Sequence, residues 1–357
     1  MISESFVREH LDRFEDFWHR REAAIQHEVT IEAYGYPLHF TTNDPLLLEV
    51  PRLCADRYSR CNPIESAPAL RLNFMLDRQL PSKRVPINWP SRLRYSSQGD
   101  WLTVNVEPWV NSFADLKQQI GLAFVSESIA KKPLLLSRYI GDCFVLNMLL
   151  RTGWGELHAS GLTRDGRAIL LIAPHNTGKS TTAFRLAMNG YQLLSDGMTY
   201  VRHHTPHPNP PPSQKADRRG DIELLGYPIG EVKLRMDMLN EFPQIKKHGR
   251  KALVREDTKM VFNLREAMPD RMCAESIWPQ EIVVCLLERS NTRRTTTEPI
   301  DPQAALIDLL ANSSHRNEPE LMAVNLNSIE QLLDGARCYR LKIGSDVAGI
   351  LKVVETL

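Results

Sequence analysis

The sequence predicts an α/β protein in two parts: an α+β domain over residues 1–150, then a domain over 151–357 built on a mixed sheet with flanking helices. Three patterns carry that expectation. Early segments alternate apolar and polar residues, the stretch ILLIAPHNTGKSTTAFR (169–185) runs from a strand through a loop into a helix, and strands alternate with helices from residue 222 onward. Length agrees, because 357 residues exceed the roughly 100–200 of one typical domain.

The elements follow in chain order. Val7, Leu11, Phe14 and Trp18 fall at helical spacing and form one apolar stripe, which most simply packs on its own domain. In VTIEAYG, ALRLNFML and WLTVNVE the apolar residues recur every second position, as in strands with one wet face. A helical stretch is expected over roughly 113–152. ELHASGL and AILLIA then flank Arg164, Asp165 and Gly166, and Asp-Gly supplies the positive φ of a tight hairpin turn. A helix burying Ala183, Leu186 and Ala187 stops at Gly190, and YQLLS and MTYVR are strands separated by Asp196 and Gly197. Residues 203–221 hold five prolines among polar and charged residues and predict a long mobile loop. Its His203, His204 and His207 invite a metal reading that the composition argues against, since ligand histidines need rigid backing. EIVVCLLE and CYRLKI read as strands, and DPQAALIDLLA and SDVAGILKVVETL as helices.

Composition excludes some partners. Lys and Arg number 44 against 43 Asp and Glu, a net charge of +1, so the whole chain carries no electrostatic footprint for nucleic acid or an anionic membrane. Six cysteines show no C-x-x-C pair or zinc spacing, consistent with reduced thiols in the cytoplasm. The N-terminal 25 residues are charged throughout, unlike a signal peptide, and the apolar run CFVLNMLL is far short of a bilayer span. A soluble, cytoplasmic protein is expected.

Ala173 to Ser180 match a phosphate-binding loop, G-x-x-x-x-G-K-[ST], except that alanine replaces the first glycine. Each position has a task. Backbone N–H groups of Asn176, Thr177, Gly178, Lys179, Ser180 and Thr181, with the positive end of the following helix, surround phosphate oxygens. Gly178 admits the phosphate to the backbone, Lys179 neutralises the β and γ groups, and the Ser180 hydroxyl ligates Mg²⁺. Ala173 can end a strand if its φ is ordinary, Pro174 loses an N–H the site does not need, and Asn176 tolerates left-handed geometry.

HASGLTRDGRAILLIAPHNTGKSTTAFRLAMNGYQLLSDGMTYV resembles the C-terminal catalytic domain of HPr kinase/phosphorylase, in its wider HPr kinase-related branch. The resemblance covers about residues 156–230. It implies a P-loop kinase fold of the HPr kinase/PEP carboxykinase-like type, ATP and Mg²⁺ as cofactors, and a possible homo-oligomer, since the family often forms hexamers. His158 matches the histidine before the family's loop, Asp196 the first acid of its acidic pair, and Glu223-Leu224-Leu225-Gly226 its glutamate-x-x-glycine segment. Gly197 stands for the second acid, Leu225 for a usual arginine, and His175-Asn176 for Ser-Gly. These departures argue against carrying over HPr as substrate or the reverse phosphorylase activity.

The expected chemistry is transfer of the γ-phosphate of ATP to a hydroxyl of a protein serine or a small molecule. Asp196 would be general base at the C-terminal end of its strand, Lys179 would neutralise the transferred group, His158 would either contact it or stay neutral as a hydrogen-bonded strand residue, and Glu223 would join Ser180 on Mg²⁺. Two alternatives stand beside it: a nucleotide-sensing module that binds a partner without catalysis, and an ATPase with Glu288 as its second acid.

Overall fold

The computed structural model describes residues 25–58, 60–64, 67–85, 93–174, 177–204, 221–227, 231–254, 257–312 and 319–357. The apolar stripe of residues 7–18, His175, Asn176, His207 and most of the 203–221 segment lie outside the described residues. The protein is mixed α/β, with several sheets and flanking helices, and divides into two compact units. One comprises the described residues up to Asp56 and Asn62–Arg151, the other Arg57–Cys61 and Thr152–Leu357.

The first unit is a seven-stranded sheet in the order β1-β2-β3-β7-β6-β5-β4, from β1 (His27–Ala33), β2 (Tyr36–Thr42), β3 (Leu70–Leu76), β4 (Leu93–Gln98), β5 (Trp101–Val106), β6 (Val110–Asp115) and β7 (Ile120–Val125). The three alternating segments do form strands, with Leu70, Leu72 and Phe74, then Leu102, Val104 and Val106, buried on the core side. Residues 113–125 correct the expected helix, because they belong to β6 and β7, paired antiparallel from Val110↔Val125 to Asp115↔Ile120. The turn between them places Gln119 at φ 59°, a left-handed position usually signalled by Gly or Asn, and Gln118 N donates to Asp115 Oδ1. Helix begins only at Glu127. Pro133–Leu150 is continuously helical and long and apolar enough to cross a bilayer by length and composition, although 67% of it is buried in the protein.

The second unit centres on a six-stranded sheet, order β11-β9-β10-β17-β19-β18. Its strands are β9 (Ala159–Arg164), β10 (Arg167–Ile172), β11 (Gln192–Ser195), β17 (Glu281–Arg289), β18 (Thr296–Pro299) and β19 (Ala336–Ile343). β10, β17 and β19 run parallel, and β9, β11 and β18 are antiparallel additions. The β9–β10 hairpin turns on Asp165 (φ 53°) and Gly166 (φ 78°), as Asp-Gly predicts. β10 and β17 read as near-continuous apolar runs because both of their faces are covered. On one face Ile169, Leu171, Val283 and Cys285 pack with Phe184 of the Lys179–Met188 helix and Ile350 of the Val347–Glu355 helix. On the other, Leu170, Val284 and Leu286 meet Leu309 and Leu332 of the Pro302–Asn312 and Pro319–Asp334 helices.

Two small sheets complete this unit: β13-β12-β8, from β8 (Gly155–Leu157), β12 (Thr199–His203) and β13 (Ile222–Gly226), and β14-β16-β15, from β14 (Glu231–Arg235), β15 (Arg250–Val254) and β16 (Asp257–Asn263). ELHASGL is therefore not one strand. It breaks at His158, with Gly155–Leu157 pairing β12 and Ala159 onward pairing β10 and β11. The sheet β14-β16-β15 has no counterpart in the sequence reading. Its apolar face, Val232, Leu234, Met260 and Phe262, is buried in the core cluster that holds Phe184, which meets Phe262 edge-on at 5.5 Å between ring centres.

Candidate active site

The expected phosphate loop lies between the end of β10 at Ile172 and the helix that starts at Lys179. Ala173 is buried and does not take a positive φ, so the missing glycine costs the strand end nothing. Gly178 takes φ 111°, and a Cβ there would meet nothing within 4 Å, so conformation and not space calls for glycine. No side chain caps the helix. Its first-turn N–H groups have no intrahelical partner and face anion chemistry by default.

A cleft of about 910 Å³ opens over this helix end. Thr177, Gly178, Lys179, Ser180 and Thr181 line it together with His158 and Asp196. All the sequence-predicted site residues within the described chain therefore meet in one cleft, except Glu223. Lys179 Nζ donates to the carbonyl of His158 at 3.1 Å, at the residue where the chain passes from one sheet to another. Burial pushes the Lys179 ammonium down to about 8, with Asp196 partly offsetting it.

Asp196 follows the last residue of β11 and is followed by Gly197 at φ 121°. Its Oδ1 accepts from Ser160 Oγ at 2.9 Å, and the Ser180 hydroxyl is near enough to pull its pKa down. Surrounding protein raises its pKa above the usual carboxylate range, against the pull of Ser160, Lys179, Ser180 and Lys233. The result is a carboxylate beside the Ser180 hydroxyl and the Lys179 ammonium.

Glu223 does not join them. It lies on β13 directly opposite Arg202 of β12, is 2% exposed, and its Oε2 accepts from Arg202 Nη2 at 2.7 Å and lies 2.9 Å from His204 Nε2. Burial works to raise its pKa, yet bonds from His204 and Arg202 and the Arg202 charge hold it below the ordinary value. Arg202 in turn lies over the Trp154 ring at 4.3 Å and His204 against Trp278 at 4.4 Å. The structure therefore does not bring Glu223 beside Ser180, where it was expected on Mg²⁺, and it instead pairs with Arg202 and His204. Gly226, the other fixed member of that segment, is needed for space, since a Cβ there would come within 2.0 Å of the Leu194 carbonyl oxygen. Gly226 thus lets β13 pack close to Leu194 of β11, the strand that Asp196 follows, and Glu223 ties β13 to Arg202 of β12. Glu288, the alternative second acid, is paired with Arg340 at 2.9 Å.

Sequence reasoning missed the opposite wall. Lys233 and Arg235 of β14, Lys259 of β16 and Arg289 at the end of β17 also line the cleft, and Arg289 Nε donates to the Thr177 carbonyl at 3.3 Å. The signal was available in EVKLR, where Val232 and Leu234 alternate with Lys233 and Arg235.

No protein-family model matches the chain, and no curated protein matches it by sequence. A solved structure of the Hpr(Ser) kinase/phosphatase from Coxiella burnetii aligns with 56% of this chain and 94% of its own length, at 12% identity and a TM-score of 0.26. At that level the similarity is a distant structural relationship and no more.

Proposed function

We propose that the second unit is an ATP- and Mg²⁺-dependent phosphotransferase that moves the γ-phosphoryl group to a hydroxyl acceptor. The observation that carries this reading is the meeting of Asp196 with Ser180 and Lys179 at the mouth of a strand–loop–helix unit. The residues fit the groups. A polyanion on the helix end would restore full charge to Lys179, and the Ser180 hydroxyl supplies an oxygen donor for Mg²⁺. When bound, Mg²⁺ offsets charge on the β- and γ-phosphate oxygens.

The chain's own residues then divide the work. The first-turn N–H groups and Lys179 orient the triphosphate, and Lys233 lines the same cleft. Asp196, its pKa raised by its surroundings, is suited to take the acceptor's proton, while Ser160 fixes its orientation. His158 holds Lys179 through its carbonyl, and its side chain lines the cleft as a further contact for the transferred group.

The test is transfer of label from γ-labelled ATP to an extract, comparing the native protein with Asp196→Asn, beside calorimetry with a magnesium-loaded nucleotide. Transfer that requires Asp196 supports the reading. Equal labelling by both proteins removes Asp196 from the chemistry, and tight nucleotide binding without transfer to any acceptor selects the sensing module instead.

A further inference from the structure

β17 outruns its neighbour on the side of the phosphate loop. β10 ends at Ile172, paired with Leu286, whereas β17 continues through Leu287, Glu288 and Arg289, which pair with Leu341, Lys342 and Ile343 of β19. Three residues at strand rise carry the chain about 10 Å past the end of β10, and alternation settles which face each side chain takes. Leu287 is buried in the core cluster of Phe184, on the face covered by the Lys179–Met188 helix, and Glu288 turns the other way to Arg340. Arg289 returns to the helix face, exposed, and its Nε donates to the Thr177 carbonyl at 3.3 Å.

That bond fixes a peptide plane. Across a trans peptide the C=O and the following N–H point in opposite directions, and Thr177–Gly178 is trans. Holding the Thr177 carbonyl toward Arg289 therefore aims the Gly178 N–H away from it. The planes on either side are anchored too. The Thr177 N–H donates to the Pro174 carbonyl at 3.3 Å, and the Gly178 carbonyl accepts from the Thr182 N–H at 2.9 Å. Between them, the Gly178 φ of 111° and the Arg289 bond set the orientation of one peptide. Among the described residues its Gly178 N–H meets no acceptor, which leaves it as a donor for a ligand.

We propose that Arg289 is a positioning residue for phosphate binding: it turns the Thr177–Gly178 peptide before the ligand arrives, so that the Gly178 N–H already faces the phosphate. This rests on the phosphotransferase reading, in which the loop and the helix end hold the triphosphate. The contribution is preorganisation, since a loop already in its bound orientation has less to order on binding. It runs through one hydrogen bond to a backbone carbonyl, and the charge of the guanidinium is incidental to it.

Two variants separate the bond from the charge. In Arg289→Gln the amide nitrogen stands at the same atom along the side chain as the arginine Nε, so the donor is kept and the charge is lost. Arg289→Met has similar reach and neither. A β,γ-imido ATP analogue with Mg²⁺ is titrated into the full chain, native and in both variants, and the Gly178 amide resonance of each ligand-free protein is followed by nuclear magnetic resonance. Arg289→Gln should bind within about twofold of the native protein, and Arg289→Met should be weakened about threefold to tenfold, the range of a neutral hydrogen bond. The Gly178 resonance should shift in Arg289→Met and hold in Arg289→Gln, with thermal midpoints unchanged in both. Equal loss of affinity in the two variants overturns the proposal and makes Arg289 a charge that meets phosphate directly. Native affinity in Arg289→Met, or a Gly178 resonance that it leaves in place, overturns it as well, and a fallen thermal midpoint in Arg289→Met makes the residue a structural one. If the native protein does not bind the analogue, the phosphotransferase reading fails, and the Gly178 resonance still decides whether Arg289 sets the peptide.

Discussion

Asp196 and Glu223 are two carboxylates set in the same unit, at the ends of neighbouring parts of its scaffold, and their environments push them in opposite directions. Asp196 meets hydroxyls and one partly buried ammonium, and its pKa is raised. Glu223 meets a guanidinium and an imidazole at hydrogen-bond distance, and its pKa is lowered. The difference teaches that depth alone does not mark a reactive acid. A carboxylate engaged by a guanidinium and an imidazole is held in its ionised form, whereas one held mainly by hydroxyls keeps its basicity and can exchange partners.

The largest effect expected from that contrast is on chemistry. Asp196→Asn keeps the shape but not the basicity, and phosphoryl transfer should fall by about 10²–10⁴-fold, the range for a general base, while magnesium-nucleotide affinity by calorimetry changes little. A mutant with near-native turnover would leave the two carboxylates functionally alike. Next, Glu223→Gln leaves Arg202 buried without its counter-charge, and breaking such a pair costs about 3–5 kcal/mol. Chemical denaturation should show that loss, and nucleotide affinity of the remaining folded protein should be retained.

Acid sharpens the same contrast. Because the folded pKa of Glu223 is below its ordinary 4.5, its stabilising contribution is complete above that value and is lost as pH falls through the lowered folded pKa. The acid limb of the stability curve should flatten in Glu223→Gln, and an unchanged limb would show that its bonds to Arg202 and His204 do not persist in solution. Lys179→Ala should weaken nucleotide binding by roughly 10- to 100-fold, the worth of a charge-assisted hydrogen bond. In the native protein, with Lys179 near 8, affinity should be level below that pH and decline by at most about tenfold per pH unit above it. Lys179→Ala should remove that dependence, as titrations across pH 7 to 10 would reveal.

Much of the site was legible because it is local. Thr177 to Thr181 follow a strand and open a helix within one short stretch, and Asp196 follows the next strand, so chain order alone brings them to one sheet end. The early strands were equally legible from their period of two. What escaped was set by partners distant in sequence. Gln119 takes a turn position that its residue type does not advertise, so β6 and β7 were read as helix. His158 is where one apparent strand changes sheets, a fact that depends on β12 and β10 and not on its neighbours.

The amino-acid sequence by itself determined the strand–loop–helix unit, its lysine and serine, and the acid that follows, because backbone geometry over a few residues suffices to build them. Only the tertiary structure decided that Glu223 is fastened to Arg202 and His204 and that Lys233, Arg235 and Lys259 face the helix end from a separate sheet. The physical reason is that the strength of a charge depends on what lies within a few ångströms of it, and those neighbours are assembled from strands far apart along the chain.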